Sequence, residues 1–233
     1  MKILAIDTAT EACSAALLVD DEILEQFRVA PREHTRLILP MVNSLLDEAG
    51  LMLQDLDALA FGRGPGSFTG VRIASGIVQG LALGADLPVV PVSTLASMAQ
   101  HSLVSCDCST IFAALDARMG EVYWGVYQKD SKGLVRLAGD EMALPAHSVE
   151  FFTSVSGNCA GVGSGWDSYR DILTEGLKGC VQFIDPKCYP HAASVALLGQ
   201  DGYLKQLAVA PEHALPVYLR DTVARKKGEL ARL

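Results

Sequence analysis

Phe61 to Ala85 reads FGRGPGSFTGVRIASGIVQGLALGA, and its reading decides the fold. Gly62, Gly64, Pro65, Gly66 and Gly70 crowd into nine residues, so the backbone must bend tightly and visit positive φ. Ser67 or Thr69 then caps a helix by accepting a bond from a free first-turn N–H. The polar residues of that helix, Arg72, Ser75 and Gln79, share one thin stripe. The remainder is apolar or small, which predicts cover on most sides. Gly76, Gly80 and Gly84 fall on one face, where a second backbone can approach closely. The Gly-rich turn is no Walker loop, because GxxxxGK[ST] is absent, and its GxGxxxG spacing departs from the dinucleotide fingerprint. Two readings stand open: a structural turn or a ligand cradle.

Outward from this stretch, strands and helices alternate. Lys2–Ile6, Ala12–Val19 and Ile23–Val29 read as a three-stranded meander, with Asp7 ending the first strand. Glu33–Ala49 reads as a helix closed by Gly50 and bent at Pro40. Its apolar residues span an arc of about 200°, wider than one core contact requires. Strands are predicted at Leu56–Phe61 and Pro88–Pro91, and a helix from Ser93 or Thr94 to about Val104. The pattern then restarts. Ile111–Asp116 mirrors Ile3–Asp7, and a hairpin to Glu121–Gln128 and a third strand at Leu134–Gly139 follow. A helix at Ala146–Ser154, strands at Cys159–Val162 and Val181–Ile184, and a helix at Ala192–Leu207 complete the expectation. The halves divide as residues 1–105 and 106–233, with the C-terminal tail free to pack back on the first.

The chain has 233 residues, half of them hydrophobic and a fifth charged, as in a globular protein with a good core. No apolar run reaches the ~20 residues of a membrane helix, and no N-terminal leader is visible, so the expected compartment is the cytoplasm. The six cysteines contain no CxxC pair and are expected to be reduced thiols. A formal charge of −8 makes an isolated domain a poor nucleic-acid binder, although Arg220, Arg225, Lys226, Lys227 and Arg232 form a basic tail. Two Asp-tipped hairpins in two related halves suit a nucleotide cleft: hairpin N–H groups hold phosphate and the Asp orients a metal-bound water. Equally, Asp7 and Asp116 can be turn residues that stabilise their own loops.

AIDTAT from Ala5, REHTRLILPMV from Arg32, FGRGPGSFTGVRIASGIVQGLA from Phe61 and LPVVPVSTL from Leu87 together resemble the TsaB (YeaZ) family. The resemblance covers most of the chain and is strongest from Met1 to Leu95. It implies an α/β protein of the actin-like, sugar-kinase and Hsp70 fold, with two related lobes of mixed sheet flanked by helices. It further implies an accessory, non-catalytic subunit that acts with TsaD and the ATPase TsaE. Together they place threonylcarbamoyl on N6 of the adenosine beside the anticodon (t6A) in tRNAs reading codons that begin with A. TsaD-like proteins carry a metal-binding His-xxx-His pair after the Gly-rich helix. Here Thr94 and Met98 stand at those places, a poor pair for a hard or borderline divalent ion. His34, His101, His147, His191 and His213 include no HxxxH or HExxH, so no bound metal is expected.

The resemblance places the partner interface on the first helix and the Gly helix, through Ile38, Leu39, Val42, Leu46, Ile73, Gly76, Ile77, Gly80 and Gly84. TsaD would pack there as a heterodimer, and a second copy would do so when the chain is alone. tRNA would be met only through the complex, and no membrane is expected. A nucleotide site would use Asp7, Thr8, Asp116 and the Gly161–Gly165 turn around Gly163. No cofactor is expected to be intrinsic; ATP or ADP with magnesium would sit at the joint with TsaD. The rival enzyme class is a stand-alone actin-like ATPase or kinase using Asp7 and Asp116, and a glycoprotease-like peptidase is a more remote one. Ser67 in GPGSFTG is not a GxSxG elbow.

Overall fold

The computed structural model describes residues 1–149 and 157–220. Two sheets repeat one topology. In the first, β1 (Lys2–Asp7), β2 (Ala12–Val19) and β3 (Glu22–Val29) form the antiparallel meander. After α1 (His34–Ala49), strands β4 (Ala58–Gly62) and β5 (Val89–Val92) add in parallel, giving the order β3-β2-β1-β4-β5. In the second, β6 (Thr110–Arg118), β7 (Glu121–Lys129) and β8 (Val135–Leu137) repeat the meander. Beyond β9 (Met142–Pro145), β10 (Cys159–Val162) and β11 (Val181–Asp185) repeat the parallel pair. The order β8-β7-β6-β10-β11 matches the first lobe strand for strand, which is the duplicated actin-like plan.

The Gly-rich stretch becomes a turn and α2 (Phe68–Ala85), capped by the Ser67 hydroxyl accepting from the Gly70 N–H. Its close neighbour is main chain rather than side chain. A Cβ on Gly70 would lie 2.0 Å from the Thr8 carbonyl oxygen, and one on Gly66 would lie 2.4 Å from that of Ala9. The Ser67 N–H donates to the Ala9 carbonyl at 2.7 Å, and the Thr8 hydroxyl donates to the Gly70 carbonyl at 2.7 Å. His34 Nε2 donates to the Thr10 carbonyl at 2.9 Å, pinning the start of α1 to the same hairpin. From there Ala74, Val78 and Ala82 of α2 and Ile38, Val42, Leu45 and Leu46 of α1 pack onto Leu4, Ile6, Leu59 and Phe61. Among the described residues, α2 alone is long and apolar enough to cross a membrane, by length and composition.

The lobes exchange a helix. The Ser93 hydroxyl caps α3 (Thr94–Ser102) by accepting from the Leu95 and Ala96 N–H groups. Although it follows the first sheet, α3 buries Leu95, Met98 and Ala99 against Ile111, Ala113 and Tyr127 of the second. Conversely, α6 (Ala192–Leu204) follows the second sheet but buries Ala192, Val195 and Ala196 against Ile3, Ala5, Ala16 and Leu18 of the first. α6 therefore covers the first sheet although it lies in the second half of the chain. Three expectations change. The helix at Ala192–Leu207 stops at Leu204. β9, α4 (Ser164–Ser168) and α5 (Arg170–Gly176) were not expected, being short and lacking period. Of the helix at Ala146–Ser154, the described part is one 3₁₀ turn, Ala146–Ser148, and residues 150–154 lie outside the described residues.

These contacts separate two kinds of glycine. Gly70→Ala drives a methyl into a carbonyl and should cost about 2–3 kcal/mol or prevent folding. Gly76→Ala adds a methyl to open space and should gain up to about 1 kcal/mol of helix propensity. Urea unfolding of both variants is the check; equal effects would remove the backbone contact as the reason for Gly70.

Candidate functional site

Asp7 ends β1, Arg63 follows β4 and Thr94 lies two residues beyond β5, at the C-terminal edge of neighbouring parallel strands where open α/β sheets place their ligands. Asp7 Oδ2, Arg63 Nε and Thr94 Oγ1 are buried there without a hydrogen-bond partner among the described residues. Asp7 Oδ1 accepts from the Ala9 N–H at 2.8 Å, the turn-stabilising use of an Asp. Its other oxygen lies over Gly62, where a Cβ would be 1.8 Å away. Burial raises the Asp7 pKa from 3.8 to about 7, against the opposing pull of the Ala9 N–H. Near neutrality this group is thus a partly protonated acid sealed in the fold.

The other expected nucleotide residues are already engaged. Thr8 is fully buried and spends its hydroxyl on Gly70. Gly163 has φ +99°, and a Cβ there would meet Met98 Cε at 2.2 Å and the Ala114 carbonyl at 2.4 Å. Asp116 is half-buried at the second hairpin. It accepts from the Arg118 N–H at 2.8 Å, has the Arg118 guanidinium 3.5 Å away, and takes the Ser168 and Tyr169 hydroxyls at 3.4 Å. Thr94 and Met98 are both fully buried. Among the described residues, no three His, Cys, Asp or Glu side chains converge as metal ligands.

A polar cluster that sequence reasoning missed ties the Gly-rich turn to the second lobe. Glu141 accepts from the Ser93 and Tyr127 hydroxyls through Oε1, and its Oε2 lies 3.8 Å from Arg63 Nη2. Burial, then the adjacent Glu141 carboxylate, pushes the Tyr127 phenol well above its ordinary value. Nothing in the spacing of residues 63, 93, 127 and 141 announces the cluster, because it exists only after the lobes pack. A strap of residues 205–220, with one 3₁₀ turn at Pro211–His213, runs back across the first lobe. Val209 bridges Val89, Ser75 Oγ donates to the Ala214 carbonyl at 2.6 Å, and the Val217 N–H donates to the Arg63 carbonyl at 2.8 Å. Its end, Arg220, pairs with Glu121 and the Arg118 carbonyl on the β6–β7 hairpin.

The expected partner interface splits in two. Ile38, Val42 and Leu46 are buried in the chain's own core and offer no surface, which corrects their assignment. Ile73 and Ile77 are half-buried, at the edge of that core. The outward residues are Gly76, Gly80 and Gly84, with nothing within 4 Å of an added Cβ, and Leu39, which is 42% exposed. Leu83, 76% exposed beside them, was overlooked because it reads as one more core leucine.

A duplicated actin-like protein with an open helical face defines the class. Residues 19–227 match the family model described as TsaD, tRNA N6-adenosine threonylcarbamoyltransferase. The chain is 48% identical to the Escherichia coli K12 tRNA threonylcarbamoyladenosine biosynthesis protein TsaB, over 97% of this chain and 98% of that one. It is 39% identical to the Haemophilus influenzae protein of the same name, over 97% of each chain. The solved structure of YeaZ from Pseudomonas aeruginosa superposes with a TM-score of 0.85 at 45% identity, covering 94% of this chain and 99% of that one. The chain belongs to the TsaB (YeaZ) family of tRNA threonylcarbamoyladenosine biosynthesis proteins.

The sealed acid gives a pH test. Its ordinary value of 3.8 in the unfolded chain rises to about 7 on folding, so folding favours the neutral form. The stabilising contribution is complete below pH 4 and is lost as pH rises towards 7, at about 1.4 kcal/mol per unit of separation. Asp7→Asn keeps the Oδ1 acceptor and cannot ionise. Relative to the parent, its melting temperature should improve by several degrees between pH 4.5 and pH 8. A pH-independent difference would refute the neutral-acid assignment.

Proposed function

We propose that this chain is an accessory, non-catalytic subunit of the cytoplasmic tRNA threonylcarbamoylation (t6A) machinery, holding a TsaD-type catalytic subunit on the outer face of α1 and α2. The observation that carries the reading is that face itself. Gly76, Gly80 and Gly84 line one side of α2 with open space above them, with the exposed Leu83 on the same helix, and Leu39 is exposed on α1. A helix that exposes three glycines forgoes about 1 kcal/mol of propensity at each, and gains only if another backbone approaches there. When no partner subunit is present, a second copy covers the same face through a two-fold axis. The third subunit, of TsaE type, joins the assembled pair, and ATP or ADP with magnesium lies at the joint rather than between the lobes of this chain. The packing of Thr8, Thr94, Met98 and Gly163 supports that placement, since the seam is filled by the chain's own atoms.

Reconstituted modification of unmodified tRNA, with this chain present and omitted, tests the role. The complete set should modify tRNA, and omission should reduce the yield at least tenfold. Gly80→Leu and Leu83→Asp, which alter exposed positions, should fold normally yet lose co-elution with the catalytic subunit. Activity of the chain alone on tRNA, or unimpaired co-elution of both variants, would overturn the reading. Micromolar binding of ATP by the isolated chain in titration calorimetry would instead favour a stand-alone ATPase.

A further inference from the structure

Three rings from three segments stack where the lobes meet. On β3, Ile23, Glu25 and Phe27 alternate onto the face that α6 covers. The Phe27 ring lies on the His191 ring with centres 4.0 Å apart and planes within 4°. His191 stacks in turn on His101, at 3.6 Å and 5°. His101 belongs to α3, which packs on the second sheet, and His191 precedes α6, which packs on the first. Glu25 ties the stack down. Its Oε1 accepts from the Ala193 N–H at 3.0 Å, in the first turn of α6 where a negative charge is favoured, and its Oε2 accepts from His191 Nδ1 at 3.0 Å. Ser97 of α3 accepts from the His191 N–H at 3.2 Å and donates to the His191 carbonyl at 3.0 Å. His101 and His191 are half-buried and Phe27 is exposed, so protons reach the rings.

We propose that this stack is an acid-sensitive clasp between the lobes, closed while the His101 ring is neutral and released when that ring takes up a proton. The clasp is separate from the assembly face: it lies on the α6 side of the first sheet, and α1 and α2 cover the other side. His191 Nδ1 can donate to Glu25 in either protonation state of its ring, so that bond is not the switch. A proton on His101 puts a positive ring face to face with His191 and draws charge out of water. Burial first, then His191, oppose that charge. Glu25 and Asp185, at the end of β11, favour it less strongly, and His101 is held below its ordinary 6.5. The charged ring is therefore better placed in water than in the stack, and its departure loosens α3 from the start of α6. The neighbouring carboxylates do not imitate this response. Asp7, whose charge also interacts with His191, is raised to about 7 by burial, so acid adds to its stabilising contribution, the opposite sign. Burial raises Glu25, but His191 and the Ala193 N–H outweigh it and hold the group below 4.5, so it stays ionised while His101 titrates.

Amide hydrogen exchange of the full chain at about pH 7.5 and about pH 5.5, corrected for the intrinsic rates, tests the clasp. An open state in which His101 has its ordinary value of 6.5 gains at most about tenfold in weight over that interval. Exchange in α3 and in residues 191–197 should therefore speed up several-fold, within that limit, while α1 and α2 keep or gain protection. His101→Phe keeps a flat ring on His191 and cannot ionise, so its protection in the two segments should not fall with acid. Proton NMR titration of the parent, with the His101 ring assigned, should show that ring titrating below 6.5, and this needs no variant. Three results would each overturn the clasp: pH-independent exchange in both segments of the parent, an equal acid loss in parent and His101→Phe, or a His101 titration at or above the ordinary value.

Discussion

The position of α2 depends on main chain meeting main chain. Gly66 and Gly70 let the start of the helix settle on the carbonyls of Ala9 and Thr8, closer than any side chain permits. Two short bonds between the same segments fix the contact, and the β1–β2 hairpin that receives it also holds α1 through His34. A helix anchored at its end through its backbone has less need to grip the sheet along its length. Ala74, Val78 and Ala82 form the buried centre of the inner face, with Ile73, Ile77, Leu81 and Ala85 partly buried at its edges. The outer face is then free to carry glycines, at a cost of about 3 kcal/mol of forgone helix propensity over three positions.

A second constraint is the exchange of helices. Because α3 covers the second sheet and α6 covers the first, neither lobe has a complete core alone. Their meeting line is the place where an actin-like protein would hold its ligand, and here it is crossed by protein groups. Met98 presses on Gly163, Ser93 and Tyr127 converge on Glu141, and His191 stacks on His101 with ring centres 3.6 Å apart. Burial and the neighbouring His191 hold the His101 imidazole below its ordinary pKa. The unpartnered atoms of Asp7, Arg63 and Thr94 sit on this line.

Local chemistry wrote most of this fold into the sequence. The meander, the Ser67 and Ser93 caps, the Gly50 stop and the repeat of Ile3–Asp7 in Ile111–Asp116 all act within a few residues, and each was readable. The signals that failed are those decided at long range. An apolar arc on α1 does not say which part is inward, and Ile38 and Val42 belong to the part that covers the sheet. The glycines at positions 66, 70, 76 and 80 look alike in sequence. Only contact separates those pressed on a carbonyl from those facing open space. The Glu141 cluster and the strap join residues far apart in the chain, with Ser75 and Ala214 separated by 139 positions, and no periodicity spans that distance.

The strap gives the outer face a connection to the rest of the molecule. It touches α2 through Ser75, the Gly-rich turn through the Arg63 carbonyl, and the β6–β7 hairpin through Arg220. Arg118 and Met119 in that hairpin hold φ values of 66° and 58°, a left-handed geometry that costs an L-residue roughly 1–2 kcal/mol. The Arg220 bond to the Arg118 carbonyl helps to hold the bend. A subunit seated on α2 would therefore press on a helix braced at one end by backbone contact and along its flank by a strap that reaches the opposite lobe. Such a mount resists rotation of α2 within its own lobe, so the face is presented as a rigid surface. Rigid presentation lowers the ordering cost of association for whatever docks on that face.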